Sequence, residues 1–447
     1  MSQTVVSYNC GVRILISAGE ASGEMYGAQL IEALRRAWDK KPAELRSAGT
    51  GAAPLPKQVK ISTLNSPNTG EFRMGHPEPF PLEFFGVGGE RMRAAGCDTV
   101  VDAKDLAVVG ITEILSHLPK ILGRYKHLIR EADRRKPDLA IVIDSPAFNW
   151  RVARQMKRRG IPTVYYVAPQ FWAWRQGRVK LIRDYIDKAL VIFPFEEKFY
   201  RDRGVDATFV GHPLADLPTP SISRDDYAKK YGRDFRLDPA KPWITLMPGS
   251  RMKEVQMNLP TIVDAASLLG KDYEYLLPVA PTLDREFLES DLYRRAIAAE
   301  EPELPIIHFV PEALPALYHS RAGIIASGTA TVEAAMMNTP FVMVYRVSQL
   351  TYLLGKPRVT VPRFAMVNLI AETEVVPELV QQEFTAANVV TRLREVLPDG
   401  PARERMLEGL ANVKGRLKAP QASEPQKHPA DRAAEIILKS FLPRASS

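Results

Sequence analysis

The sequence predicts an α/β protein built from two doubly wound domains, and three observations carry that expectation. Short unbroken apolar runs at residues 139–143 and 163–167 have the length and composition of strands buried on both faces of a parallel sheet. Between them residues 151–159 read as a helix that Gly160 stops, which completes a βαβ unit. Beyond a proline-rich passage at 217–223 the same alternation of strand and helix begins again. At 447 residues the chain is long enough for two full cores.

Taken in order, residues 12–17 are a strand and Gly19, Gly23 and Gly27 punctuate the turn and helix that follow, through Trp38. That spacing does not match the dinucleotide fingerprint, and Glu20 and Glu24 would repel a pyrophosphate at the helix start. Two readings remain open for these glycines: a loop facing an uncharged ligand group or the other domain, or tight helix–sheet packing. Residues 41–81 are dense in Pro, Gly, Ser, Thr and Asn without a hydrophobic period, and are expected to be an insertion, partly disordered. Order is expected to resume at 84–89 with a strand and glycine turn. From Gly110 to Ile129 apolar residues fall at helical spacing, with Ile114, Leu115, Leu118, Ile121 and Leu122 flanked by Lys120 and Arg124. Such a stripe faces a core or lies on a membrane surface. Pro119 is expected to divide or kink it.

Asp144 stands where the strand 139–143 ends, the edge at which open α/β sheets bind ligands. Asp144-Ser145-Pro146 is equally a good helix start, with an N-cap and a proline in the first turn. The aromatic loop 169–174, which holds Trp172 and Trp174, reads either as a plug under a loop or as a lip around an amphipathic substrate. A strand is expected at 189–193, then a helix with Glu196, Glu197 and Lys198, and a hinge near 213–222.

In the second array a strand at 243–247 leads into the turn Pro248-Gly249-Ser250-Arg251, and further strands are expected near 273–278, 305–310, 323–326 and 341–345. The small-residue turn Ser327-Gly328-Thr329 at a helix start offers bare N–H groups to a phosphate, unless it is a plain N-cap. Glu333, one turn inside, has two acceptor oxygens for a ribose, and Arg251 has the charge for a diphosphate. Asn368 either donates to a nucleotide or sugar or turns the chain. A last amphipathic helix is expected at 430–442.

Composition narrows the function. Net charge is +8, with basic residues clustered at 151–159 and 175–183, which suit solvated faces, phosphate or anionic lipid. No helix-turn-helix, zinc-finger or RNP-like motif is present, so nucleic acid is not expected as a partner. The two cysteines, Cys10 and Cys97, have no CxxC spacing and suit a reducing cytoplasm. Neither a signal peptide nor a membrane span is expected. No Asp-x-Asp pair or His/Asp cluster has metal-ligand spacing, so no metal is expected and helix dipoles with Arg251 would neutralise charge.

Seven motifs together carry a family resemblance: residues 18–24 (Ala-Gly-Glu-Ala-Ser-Gly-Glu), 106–110 (Leu-Ala-Val-Val-Gly), 143–149 (Ile-Asp-Ser-Pro-Ala-Phe-Asn), 169–175 (Pro-Gln-Phe-Trp-Ala-Trp-Arg), 211–216 (Gly-His-Pro-Leu-Ala-Asp), 246–251 (Leu-Met-Pro-Gly-Ser-Arg) and 327–333 (Ser-Gly-Thr-Ala-Thr-Val-Glu). In order, over about residues 12–385, they resemble the lipid-A-disaccharide synthase family. The resemblance implies a GT-B-like fold, two Rossmann-like doubly wound domains facing a cleft. It divides the chain into 1–215 for the acceptor, with the insertion 41–81, then 223–418 for the UDP-sugar, and 419–447 as polar tail and final helix. It implies an inverting, metal-independent transfer that joins UDP-2,3-diacylglucosamine to 2,3-diacylglucosamine 1-phosphate through a β-1,6 bond, at the cytoplasmic side of the inner membrane of a Gram-negative bacterium. No cofactor is implied beyond the UDP-sugar donor. Asp144 resembles the essential aspartate, and Arg251, Ser327, Gly328, Thr329, Glu333 and Asn368 fall in the UDP-binding region. The membrane surface would be met by Ile114, Leu115, Leu118, Ile121 and Leu122. Three features depart from the family pattern: the segment 41–81, Glu90 after Gly88-Gly89 where Gly-Gly-Pro-Arg is usual, and Val367 in place of the proline before Asn368. Rival readings are a related GT-B enzyme on another UDP-sugar, either a lipid-linked N-acetylglucosaminyltransferase or an epimerase, and a non-catalytic membrane- or nucleotide-binding module.

Overall fold

The computed structural model describes residues 11–40, 81–106, 111–173, 175–232, 237–280, 283–290, 305–347, 361–419 and 427–441, with backbone alone for Ala21 and 111–118. The chain runs β1 (Val12–Ala18), α1 (Ala21–Asp39), β2 (Leu82–Gly88), α2 (Glu90–Ala94), β3 (Cys97–Asp102), α3 (Ile111–Arg135), β4 (Leu139–Ile143), α4 (Pro146–Arg158), β5 (Thr163–Tyr166), α5 (Val179–Tyr185), β6 (Lys188–Val191), α6 (Pro194–Arg201) and β7 (Ala207–Phe209). It continues α7 (Arg224–Tyr231), β8 (Trp243–Met247), α8 (Met252–Leu269), β9 (Glu274–Pro278), β10 (Ile307–Val310), α9 (Ala313–His319), β11 (Ala322–Ala326), α10 (Thr329–Met336), β12 (Phe341–Tyr345), α11 (Met366–Ala371), β13 (Glu378–Val380), α12 (Ala386–Val396), α13 (Pro401–Arg416) and α14 (Pro429–Phe441).

The strands form two sheets of parallel pairs, ordered β3-β2-β1-β4-β5-β6-β7 and β10-β9-β8-β11-β12-β13. Each reverses direction of growth at its centre, between β1 and β4 in the first sheet and between β8 and β11 in the second. Ligand crevices open at such switch points, outside the carboxyl ends of the strands. The unbroken apolar run of β4 explains its central place. All five of its residues are buried, Leu139, Ile141 and Ile143 in the core on one face and Ala140 and Val142 in the core on the other.

α3 crosses Pro119 without a break, so the proline does not divide the segment. Its basic residues are also committed locally, since Lys120 and Arg124 both pair with Asp105, at 2.7 and 3.0 Å. Lys157 on α4 pairs with Asp187, and Arg159 at its C-cap pairs with Asp133, the solvated-face reading of that basic run. The expected insertion lies outside the described residues except for Pro81.

Beyond α13 the chain returns to the first sheet. α14 packs on α1, where Arg36 meets Asp431 at 2.8 Å, and the amide of His212 donates to the carbonyl of Leu417 at 2.9 Å. One apolar core therefore includes Leu30 of α1, Ile325 of β11, Val332 of α10 and Ile437 of α14. His212 itself is buried, which drives its pKa down to about 3, so the imidazole is neutral and accepts the amide of Leu214 on Nδ1.

Candidate functional site

Pairing of Ala18 with Ile143 sets the two loops at the first switch point side by side. They touch: a Cβ on Gly19 would lie 2.7 Å from Oγ of Ser145, and one on Gly27 would lie 2.8 Å from the sulfur of Met92. Close packing is therefore what these two glycines permit. At the end of β4 the backbone turns left-handed at two non-glycine residues in succession, Asp144 (φ 48°) and Ser145 (φ 47°). Each such residue costs about 1–3 kcal/mol and persists only where its surroundings over-determine it.

Here the surroundings do so. Asn149, fully buried on α4, donates its amide to the carbonyls of Asp144 (2.7 Å), Ile143 (2.9 Å) and Ser17 (3.3 Å) and accepts the Ser17 hydroxyl at 2.7 Å. Tyr165 of β5 donates its hydroxyl to the same Asp144 carbonyl at 2.7 Å. Ser145 is the N-cap of α4 with Pro146 behind it, but no side chain caps the helix. The carboxylate of Asp144 is thereby released from the capping role that the sequence left open. Its Oδ2 accepts the Ser22 hydroxyl at 3.2 Å. Burial raises its pKa, and hydrogen bonds from the Ser145 amide and Ser22 only partly oppose that.

Two further groups sit in this field. Glu20, the N-cap of α1, has its pKa raised by burial and by the charge of Asp144, and lowered in smaller measure by Arg251 from the second sheet. Tyr26 is pushed up to about 12 by burial, then by Asp144 and by Glu333, again from the second sheet. Glu20 is thus acted on by Asp144 and Arg251, and Tyr26 by Asp144 and Glu333, so groups from the carboxyl edges of both sheets meet around the start of α1.

Trp172 does not form a lip. It is 6% exposed and donates its indole N–H at 2.8 Å to Glu196, packed edge-on against Phe195. The hydrophobic-plug reading holds for it, while Trp174 lies outside the described residues. Glu196 is fully buried and also accepts the amides of Ile192 and Phe193, at 3.2 and 3.0 Å. Burial nevertheless pushes its carboxyl up to about 7.

At the second switch point, Pairing of Ile325 with Met247 brings the turn 248–251 beside the turn 327–329. Arg251 is the N-cap of α8, its guanidinium exposed and 2.9 Å from Glu254, whose carboxylate also accepts the amides of Ser250 and Arg251. Asn258 fixes this turn by donating to the carbonyl of Pro248 at 2.9 Å. Gly328 (φ 141°) is the N-cap of α10, and no side chain caps that helix either. The hydroxyl of Ser327 points elsewhere, donating to the carbonyl of Phe364 at 2.8 Å. An N-cap thus lies within 327–329, as a glycine that offers no side-chain acceptor, and the amide of Thr331 donates to the carbonyl of Gly328 at 3.1 Å. Glu333, half-buried, has its pKa raised by that burial.

Asn368 is a correction. It is fully buried, its amide donating to Val376 and Glu378 and its oxygen accepting the amides of Val375 and Val376, all within 3.0 Å. An asparagine with two donated and two accepted bonds has no capacity left for a ligand. It turns the chain, and through Glu378, which accepts the amides of Phe364 and Ala365, it braces the loop that holds Ser327.

Sequence reasoning passed over Asn149 as an actor. Its signal is that it shares a helix stripe with Val152, Ala153 and Met156, a polar residue at a core-facing position. Among the described residues no group of three or more His, Cys, Asp or Glu is arranged to hold a metal ion, and no helix is long and apolar enough to cross a membrane.

Two doubly wound sheets that face one another across their switch points define a protein of the GT-B type. A putative UDP-N-acetylglucosamine 2-epimerase of Listeria monocytogenes shares the fold at TM-score 0.54 and 12% identity, covering 96% of each chain. The calicheamicin glycosyltransferase CalG4 does so at TM-score 0.54 and 14% identity, over 98% of this chain and 100% of that one. The family described as Lipid-A-disaccharide synthetase matches residues 71–423. A lipid-A-disaccharide synthase of Koribacter versatilis (strain Ellin345) is 49% identical over 427 residues, 96% of this chain and 98% of that protein. The chain belongs to the lipid-A-disaccharide synthase family.

Proposed function

We propose that the chain is a hexosyltransferase of lipid A synthesis. It transfers diacylglucosamine from UDP-2,3-diacylglucosamine to 2,3-diacylglucosamine 1-phosphate, giving the β-1,6 disaccharide 1-phosphate and UDP. Family membership over nearly the whole chain supports the reaction. The observation that carries the mechanism is the left-handed turn at Asp144 and Ser145, in which the Asp144 side chain caps no helix and shares with Arg251 of the second sheet an electrostatic influence on Glu20. In the proposed step, Asp144 takes the proton of the acceptor 6-hydroxyl as its oxygen attacks the anomeric carbon from the face opposite UDP. The C1–O bond breaks with inversion, and its electron pair leaves on UDP. A carboxylate whose pKa burial has raised is a stronger proton acceptor than an ordinary aspartate.

UDP is received by Arg251, by the N–H groups at Gly328 and Thr329, and by Glu333 on the ribose, with Ser327 holding the loop behind them. Positive charge from Arg251 and the α10 dipole supports a metal-independent reaction. We divide the labour between residues 1–215 for the acceptor and 223–418 for the nucleotide, with 419–447 as tail and final helix, of which α14 packs on α1. The lipid substrates place the enzyme at the periphery of the inner membrane, met by the stripe from Ile114 to Leu122. Leu122, 46% exposed, supports this, whereas Ile121 packs on the core and the side chains of Ile114, Leu115 and Leu118 lie outside the described residues. The test is to incubate the protein with both lipid substrates and look for disaccharide 1-phosphate and UDP. Hydrolysis or epimerisation of the donor without disaccharide would overturn the proposal.

A further inference from the structure

The assignment of Asp144 as the base, on which this inference rests, raises the matter of what aims its carboxylate. In an extended strand successive carbonyls point to opposite sides. Yet the carbonyls of Ile143 and Asp144 converge on one amide group, that of Asn149, at 2.9 and 2.7 Å. They can do so only because the chain leaves the strand conformation at Asp144 (φ 48°). The second lone pair of the Asp144 carbonyl is taken by the Tyr165 hydroxyl at 2.7 Å, so that oxygen is held from two elements at once. Asn149 is itself fixed, because its oxygen accepts the Ser17 hydroxyl at 2.7 Å and its amide reaches the Ser17 carbonyl at 3.3 Å. Ser17, Asn149 and Tyr165 are all fully buried.

We infer that Asn149 and Tyr165 are positioning residues that lock the Asp144 peptide in its left-handed turn and so direct the Asp144 carboxylate at the acceptor hydroxyl. Neither touches substrate. Without them the 143–145 segment relaxes toward ordinary extended geometry, the carboxylate swings away, and both substrates still bind. Displacement of a reacting group by about 1 Å costs up to about 100-fold in rate.

A role confined to stability makes a different prediction, and a double-mutant cycle separates the two. The variants are Tyr165→Phe, Asn149→Ala and Asp144→Asn, with each of the first two also combined with the third. Turnover, KM for both lipids and thermal unfolding are measured for each. Tyr165→Phe is expected to lower kcat about tenfold, and Asn149→Ala by more, with KM within about twofold of the parent. In the Asp144→Asn background, where no basic carboxylate remains to aim, Tyr165→Phe is expected to change the residual turnover less than about twofold. Equal losses in both backgrounds, or a lowered melting temperature with kcat unchanged, would overturn the inference. If Asn149→Ala does not fold, Tyr165→Phe decides alone, since Asn149 still grips the turn in that variant. Near-normal turnover in Asp144→Asn by itself would remove the base assignment and this inference with it. A crippled Asp144→Asn beside an unaffected Tyr165→Phe would remove only the inference.

Discussion

The indole N–H of Trp172 donates at 2.8 Å to one oxygen of the buried Glu196, while the other accepts the amides of Ile192 and Phe193. Burial outweighs these three donors and lifts the carboxyl from 4.5 to about 7, so the folded state holds a proton that the unfolded chain gives up. The stability from this group is full below about pH 4.5 and is lost as pH rises through about 7, at up to about 1.4 kcal/mol per pH unit. Glu196→Gln, which cannot ionise, is expected to lack this slope. Unfolding followed between pH 4.5 and 8 for both proteins checks it, and parallel curves would remove Glu196 as the titrating group.

Nucleotide binding is expected to respond to Arg251 and Glu333, the two residues proposed to receive UDP. Arg251→Ala and Glu333→Ala are expected to weaken UDP by up to about 1.5–3 kcal/mol where the lost contact is charge-assisted. Arg251 should fall toward the low end because its guanidinium is exposed and paired with Glu254 at 2.9 Å. Calorimetry with UDP measures both, and unchanged affinity in the two variants would move the nucleotide site.

The same chemistry sets a metal test. With Arg251 and the uncapped N-terminus of α10 supplying positive charge, turnover is expected to survive excess EDTA unchanged. Loss of activity that Mg²⁺ restores would contradict it.

On α3 two adjacent residues should part company. Leu122, 46% exposed, is expected to tolerate replacement by Glu and then to sediment less with anionic vesicles. Ile121 packs on the core, so Ile121→Glu is expected to destabilise the fold by about 1.5–3 kcal/mol. Thermal unfolding beside vesicle co-sedimentation distinguishes them, and two variants that both bind vesicles normally would end the membrane role of this surface.

Central strands were legible because burial on both faces leaves an unbroken apolar run, as in Leu139–Ile143 and Phe341–Tyr345. Edge strands such as β3, with exposed Asp98 inside it, carry no such run and were not foreseen, nor were Ala207–Phe209 and Glu378–Val380, each too short for a pattern. At the site, Asp144 and Arg251 were visible from their places after strands. What the sequence could not show is long-range polar pairing. Asn149 reaches back to Ser17, Trp172 forward to Glu196, and Asn368 closes on Val376 and Glu378, so a motif residue that looks available proves satisfied. The left-handed pair at Asp144 and Ser145 was likewise hidden, because a helix-start pattern implies an extended cap.

The central claim is that Asp144 takes the proton of the acceptor hydroxyl, and single-turnover kinetics of Asp144→Asn test it most directly. The variant is expected to fold, to bind UDP with parental affinity and to transfer the sugar about 10²- to 10⁴-fold more slowly. Transfer at a near-parental rate by a protein of normal stability would contradict it.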